Sequence, residues 1–327
     1  MDVEVQEKDA VKSASGDADR LRLWLEGERA VAGARDLLLE TGADVELASR
    51  VSLGIDAAVF VSEDDVEGTV SQIGGHRVVR YDGALEIAGG ELCLFDDMIV
   101  QTEGYATAPY VSISVPTAFA VVDELDLAAL RADLAAARAT GVLPAYLTTA
   151  LATVVDQRRW LEPLLPDDDA PRRLLLCADG TLRDGPGGRV VSADGSIDPS
   201  HHVPPAEDAG EIARFLGAAK VVRALRARLG REVSVAGYDG KVGSVGAGRT
   251  DSVFVASDDA SSYVVDIATS RIDRVPDAVA TVVEQTLCAR AGTGDGGDAG
   301  RAPEGSERVL EALALERFLP ASADRAL

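Results

Sequence analysis

Ser252-Val-Phe-Val-Ala-Ser-Asp-Asp-Ala-Ser-Ser-Tyr-Val-Val-Asp-Ile-Ala268 is the stretch on which the reading of the fold turns. Val, Phe, Tyr and Ile fill Ser252–Ala256 and Ser262–Ile267, while the acidic residues between them are turn formers. Two such runs around a short polar turn read as an antiparallel hairpin. Within the second run, Val264 and Asp266 share one face, and Tyr263, Val265 and Ile267 share the other. Just upstream, Glu232–Ala236 and Lys241–Val245 read as further strands. Just downstream, Pro276 is placed to open a helix running to about Cys288. The segment 292–305 has 6 Gly in 14 residues and reads as a flexible linker. A last helix, Ser306–Leu319, carries Val309, Leu310, Leu313 and Phe318.

Moving toward the N-terminus, Pro204 and Pro205 can open a long helix ending near Leu229, with Gly230 past its end. Leu174–Cys177 and Arg189–Ser192 read as short strands. LLPDDDAPRR (164–173) is rich in Pro and Asp and reads as a linker. Before it, Ala145–Leu161 and Leu127–Thr140 read as helices, the latter capped by Asp126 and ended by Gly141. Arg77–Val122 is β-rich, and Val45–Leu47 and Ala57–Val61 are short strand candidates. Glu28–Thr41 reads as a helix, and Leu21, Leu23 and Leu25 alternate as in a strand. Residues 1–19 read as a flexible tail. The expected fold is α+β in two domains, 20–163 and 174–327, joined by 164–173. AVFVSEDD (58–65) and SVFVASDD (252–259) share five of eight residues. That echo reads either as a duplicated module or as two unrelated strands, each followed by an acidic turn.

Composition narrows function. The 327 residues carry 32 basic and 55 acidic side chains, a net charge of -23. Such a polyanion repels nucleic-acid backbones and anionic membrane surfaces. No apolar run approaches the roughly 20 residues of a membrane helix. The acidic start lacks a secretory pattern, so the expected location is cytoplasmic. Cys93, Cys177 and Cys288 are widely spaced and odd in number, which suits reduced thiols. Arg greatly outnumbers Lys, a bias of GC-rich genomes.

No motif commits the chain to catalysis. Gly243–Thr250 approximates a phosphate loop with Arg249 in place of Lys, but a strand pattern follows it where a helix is required. His201 and His202 are adjacent in a Pro-flanked loop, so one metal cannot readily take both; neither a metal nor a cofactor is expected. Asp64, Asp65, Asp96 and Asp97 are available for acid–base chemistry, although acidic turns on an acidic protein are ordinarily solvated. GDGGDAG (294–300) is one copy of a calcium-like repeat and cannot stack. Against the overall negative charge, Arg214, Lys220, Arg223, Arg226, Arg228 and Arg231 form an acid-free basic stretch. It can attract an acidic partner or pair internally with Asp and Glu.

The hairpin 252–268, the helix Val275–Gln285 and the helix ERVLEALALERFL (307–319) together resemble the winged-helix module that recognises precursor peptides of ribosomally made, modified natural products. The wider arrangement is similar to the daptide-type recognition proteins of actinobacterial gene clusters. The resemblance covers some 70–90 residues, shows two helices where the family has three, and includes no diagnostic motif. It implies a βββ-α-α module at about 232–327, in which an acidic leader adds beside the third strand and packs on the last helix. The third strand would be Ser262–Ile267. Peptide contacts would be Val264, Asp266, Leu310, Leu313 and Arg317. The partner implied is a modifying enzyme such as an oxidative decarboxylase. Three readings follow: a non-catalytic peptide-binding accessory protein, an enzyme with a carboxylate site between the two domains, or a structural subunit of an enzyme complex.

Overall fold

All four residues of β1 (Asp36–Leu39) are buried. A strand covered on both faces shows no alternation, so this one lies hidden inside the expected helix 28–41. In the computed structural model, residues 16–66, 70–84, 89–94, 98–165, 171–186, 188–192, 208–238 and 252–292 are described. The fold is mixed α+β, with two sheets among the described residues. The chain forms two compact units: Met1–Ala129 with Leu151–Arg159 and Asp168–Pro204, and Leu130–Ala150 with Trp160–Asp167 and Pro205–Leu327.

The first unit holds β1 together with β2 (Ala58–Ser62), β3 (Gln72–Ile73), β4 (His76–Ala84), β5 (Gly90–Leu94), β6 (Met98–Gly104), β7 (Thr117–Ala120), β8 (Ala152–Val154), β9 (Arg173–Leu176) and β10 (Leu182–Arg183). Their order is β10-β9-β1-β2-β4-β5-β6-β7-β8, with β3 beside β4. Pairing is parallel from β9 through β1 and β2 to β4, antiparallel through β5 to β6, and parallel again through β8. This sheet takes strands from both sides of 164–173, where the sequence reading places a linker.

Several local expectations change. Residues 16–26 form helix α1, not a tail followed by a strand. Leu21, Trp24 and Leu25 are buried at helical spacing, and the alternation of leucines is incidental. Val45–Leu47 belongs to a helical turn, α2 (Val45–Ala48), because the Asp44 side chain caps the Glu46 and Leu47 amides. Helix α3 (Glu124–Thr140) is capped by Asp123, whose carboxylate takes the Leu125 and Asp126 amides. Asp126 is instead buried and accepts from the Ala106 and Val122 amides. The expected helix 145–161 is broken into α4 (Ala145–Thr148), strand β8 and α5 (Gln157–Trp160).

Arg173 ties the first unit together. It is buried, its guanidinium lies 4.9 Å from the Trp24 ring centre, and it faces the Asp156 carboxylate. It donates to the carbonyls of Trp24, Leu25 and Asp184. Burial pushes its pKa down to about 9, so it stays charged at neutral pH. The Trp24 indole N–H donates to the Asp36 and Leu174 carbonyls, at 3.2 and 3.1 Å.

The second unit contains β11 (Ser234–Val235), β12 (Val253–Ser257), β13 (Ser262–Asp266) and β14 (Arg271–Val275), all antiparallel and in that order. Helix α6 (Ala209–Leu229) covers one face and α7 (Asp277–Gly292) the other. Gly230 ends α6 in the left-handed region, as its position predicts. Val255 and Val264 pack with Ala280, Val283 and Leu287 on the α7 side. On the α6 side, Gly217 leaves room for Phe254. The echo at 58–65 and 252–259 falls on β2, parallel between two neighbours, and on β12, antiparallel between two others. The two copies therefore occupy different structural contexts.

Two substitutions test these anchors. An Ala in place of a mid-helix Gly ordinarily stabilises by about 1 kcal/mol. A Cβ at Gly217 would sit 2.7 Å from Cζ of the buried Phe254 ring. Gly217→Ala is therefore expected to destabilise by about 1–3 kcal/mol in urea unfolding, and a gain in stability would contradict the packing. Arg173→Lys keeps the charge but not the forked donors, and is expected to cost about 3 kcal/mol or more; an unchanged melting curve would contradict its role.

Candidate functional site

The strand expected to receive a peptide is internal. β13 pairs with β12 on one side and β14 on the other, so Ser262–Ile267 offers no free edge. Ile267 N–H donates to the Ser252 carbonyl, and the Ser261 carbonyl accepts from Asp258. Backbone direction alternates along a strand, so Val264 turns its N–H and C=O toward Asp273 of β14. Its side chain is buried in the α7 core. Asp266 is buried as well. Its carboxylate accepts from the Ser252 hydroxyl at 2.6 Å, the Ala268 amide at 3.1 Å and the Thr269 hydroxyl at 2.9 Å. Both residues build the hairpin, which corrects their expected role as peptide contacts. Leu310, Leu313 and Arg317 lie outside the described residues.

The basic stretch is largely engaged within the protein. Arg214 and Arg223 are buried. Arg214 stacks 3.7 Å from the Phe254 ring centre and donates to the Val253 carbonyl at 2.8 Å. Arg223 donates to the Leu147 carbonyl at 3.2 Å. Arg226 binds the Thr148 hydroxyl at 2.8 Å and pairs with Glu232. Arg231 lies 3.4 Å from Asp258. The Asp258 carboxyl is held below its ordinary range, first by the Ala260 amide and then by the Tyr263 hydroxyl and Arg231. Lys220 is half-buried, and Arg228 is exposed. The six cations therefore do not form one open stripe, because α6 packs against α4 and residues 162–164 as well as the sheet.

The other candidate groups are dispersed. Asp65 uses both carboxylate oxygens on the Gly42 amide, at 3.0 and 2.9 Å. Asp64 sits in the same 3-10 turn. His76 is half-buried on β4. Asp96, Asp97, His201, His202, Gly243–Thr250 and 294–300 lie outside the described residues. Among the described residues no three His, Cys, Asp or Glu side chains cluster as metal ligands, and no helix is long and apolar enough to cross a membrane. The three cysteines are free thiols. A cleft of 460 Å³ near the end of α6 mixes Arg226, Glu232 and Asp258 with Leu143, Val222 and Tyr238. Burial pushes the Tyr238 phenol up to about 12.

The feature that sequence reading missed is β14. Its Arg-Ile-Asp-Arg-Val carries three charges in five residues and hides the β pattern. The available signal was Ala268-Thr269-Ser270, a second polar turn directly after a strand, with Ser270 at φ 55°. Among the described residues no strand pairs with the outer side of β14. Arg271, Asp273 and Val275 are the hydrogen-bonded partners of β13, so Ile272 and Arg274 turn their N–H and C=O groups outward. Arg271 and Asp273 pair with each other at 2.7 Å on the α7 side. Ile272 and Arg274 lie on the opposite face, in register with Val265 and Tyr263. Arg274 is exposed and borders a hollow of 420 Å³ with Ala260, Val275, Pro276 and Asp277.

No known family model, curated protein or solved structure matches the chain.

Proline scanning separates an internal strand from an edge. Val264→Pro removes a donor from the β13–β14 ladder and is expected to unfold the second sheet. Arg274→Pro removes an outward amide and should shift the melting temperature by only a few degrees. Equal tolerance of both substitutions would contradict the strand order.

Proposed function

We propose that this chain is a non-catalytic accessory protein that takes an extended peptide as a fifth strand on β14. The observation that carries the reading is the outward backbone of Ile272 and Arg274, two donors and two acceptors that no strand among the described residues takes up. Strand addition gains affinity from main-chain hydrogen bonds and specificity from alternate side chains. The resemblance to precursor-peptide recognition modules fits this reading once its strands are reassigned. β12, β13 and β14 take the places of the three strands and α7 that of a following helix, which moves the receiving strand from Ser262–Ile267 to Arg271–Val275. The peptide would be the leader of a ribosomally made precursor, held for a modifying enzyme such as an oxidative decarboxylase.

The test uses short peptides encoded beside this chain's gene, measured by fluorescence anisotropy. Binding is expected, with slowed hydrogen exchange at the Ile272 and Arg274 amides. Arg274→Pro leaves a peptide carbonyl unsatisfied, a cost of about 1–3 kcal/mol, so affinity should fall roughly ten-fold or more while the fold persists. Absence of binding, or binding indifferent to Arg274→Pro, would overturn the proposal.

A further inference from the structure

We infer that the peptide accepted by β14 runs antiparallel to it and carries an acidic residue two positions before an apolar one, an acid-x-apolar pattern. This rests on the peptide-binding reading above and adds its sequence preference and direction. All strand pairs of the second sheet are antiparallel, and an antiparallel addition continues the slightly stronger pairing mode. The peptide residues that exchange backbone bonds with Ile272 and Arg274 would place their side chains on the same face as those two, about 5 Å away.

That face makes two different demands. Ile272 is half-buried and lies in register with buried Val265, which is in turn in register with Phe254. An apolar residue opposite Ile272 extends that row. Arg274 is exposed, and among the described residues it makes no hydrogen bond or ion pair. It is set apart from Arg214, Arg223, Arg226, Arg231 and Arg271, whose guanidinium groups are all engaged. A carboxylate opposite Arg274 meets a cation that has no partner among the described residues. The Asp277 carboxylate, at the edge of the hollow that Arg274 borders, accepts from the Ser262 hydroxyl at 2.8 Å. On the other face Arg271 and Asp273 neutralise each other, so the intervening peptide residue meets no net charge. In an antiparallel partner, the residue opposite Arg274 precedes the one opposite Ile272 by two positions.

The test uses synthetic Ser/Thr-flanked peptides with Glu-Thr-Leu, Lys-Thr-Leu or Leu-Thr-Glu at the centre, titrated against the full-length chain and its variants, with melting curves confirming that each variant folds. Glu-Thr-Leu should bind at least ten-fold tighter than either of the others. Arg274→Glu should reverse the preference between Glu-Thr-Leu and Lys-Thr-Leu. If peptides bind and Arg274→Pro abolishes binding, but neither charge nor order matters, the sequence preference is overturned and strand addition stands. Tighter binding of Leu-Thr-Glu overturns the antiparallel direction. If none of the three binds, the sequence preference and the edge reading fall together.

Discussion

Arg173 is a charge with little water around it, and the first unit is arranged to make that tolerable. A buried guanidinium is stable only where hydrogen bonds and an opposite charge replace its hydration. Here the carbonyls of Trp24 and Leu25 supply part of that replacement. They belong to the last turn of α1, where the helix dipole is negative, and they also accept from the Gly27 and Asp156 amides. Gly27, in the left-handed region, ends the helix through the Gly27–Trp24 and Glu28–Leu23 backbone bonds, and the guanidinium docks on that end, where added hydrogen bonds offset the cost of its own burial. Trp24 completes the link, because its indole donates to both β1 and β9. The position of β9 beside β1 and the docking of α1 are therefore one arrangement. Gly185 belongs to it too, since a Cβ there would collide with the Arg173 guanidinium.

The second unit solves a similar problem with a different geometry. A 21-residue helix with cations along its length packs onto the sheet and onto α4 instead of facing solvent. Its arginines reach carbonyls at its borders, at Leu147, Thr148 and Val253, while their stems cover apolar surface. Gly217 lets α6 approach Phe254, and Arg214 stacks on the same ring. The basic stretch is thus first a packing device, and its local reversal of charge is a poor guide to a binding surface.

Legibility in the sequence followed from how each element is buried. α3, α6 with its Gly230 stop, α7 after Pro276, and the β12–β13 hairpin have one covered stripe or a marked end, and they could be read. β1 and β9 are buried on both faces, so Leu37–Leu39 and Leu174–Leu176 show no period to read. α1 failed for the opposite reason, because its leucines fit a strand template as well as a helical one. At the candidate site, the hairpin was legible but its place in the sheet was not. Whether a strand is internal or at an edge depends on its neighbours, and one neighbour, Arg271–Val275, is too charged to resemble a strand.

That same charge is what makes β14 interpretable. Among the described residues no strand covers the outer side of β14; such an edge invites indiscriminate pairing, and charged side chains along it are a common defence. On β14 the defence is uneven. Arg271 and Asp273 cancel on the α7 side, while Arg274 on the other side has no counterpart among the described residues. An arbitrary apolar strand would have to desolvate that cation without compensation, whereas one bearing a carboxylate at the matching position would not. In a chain of net charge -23, long-range attraction cannot select an acidic partner. Under the proposed strand addition, discrimination would come from within a few ångströms of one guanidinium, at the register that an antiparallel partner takes along β14.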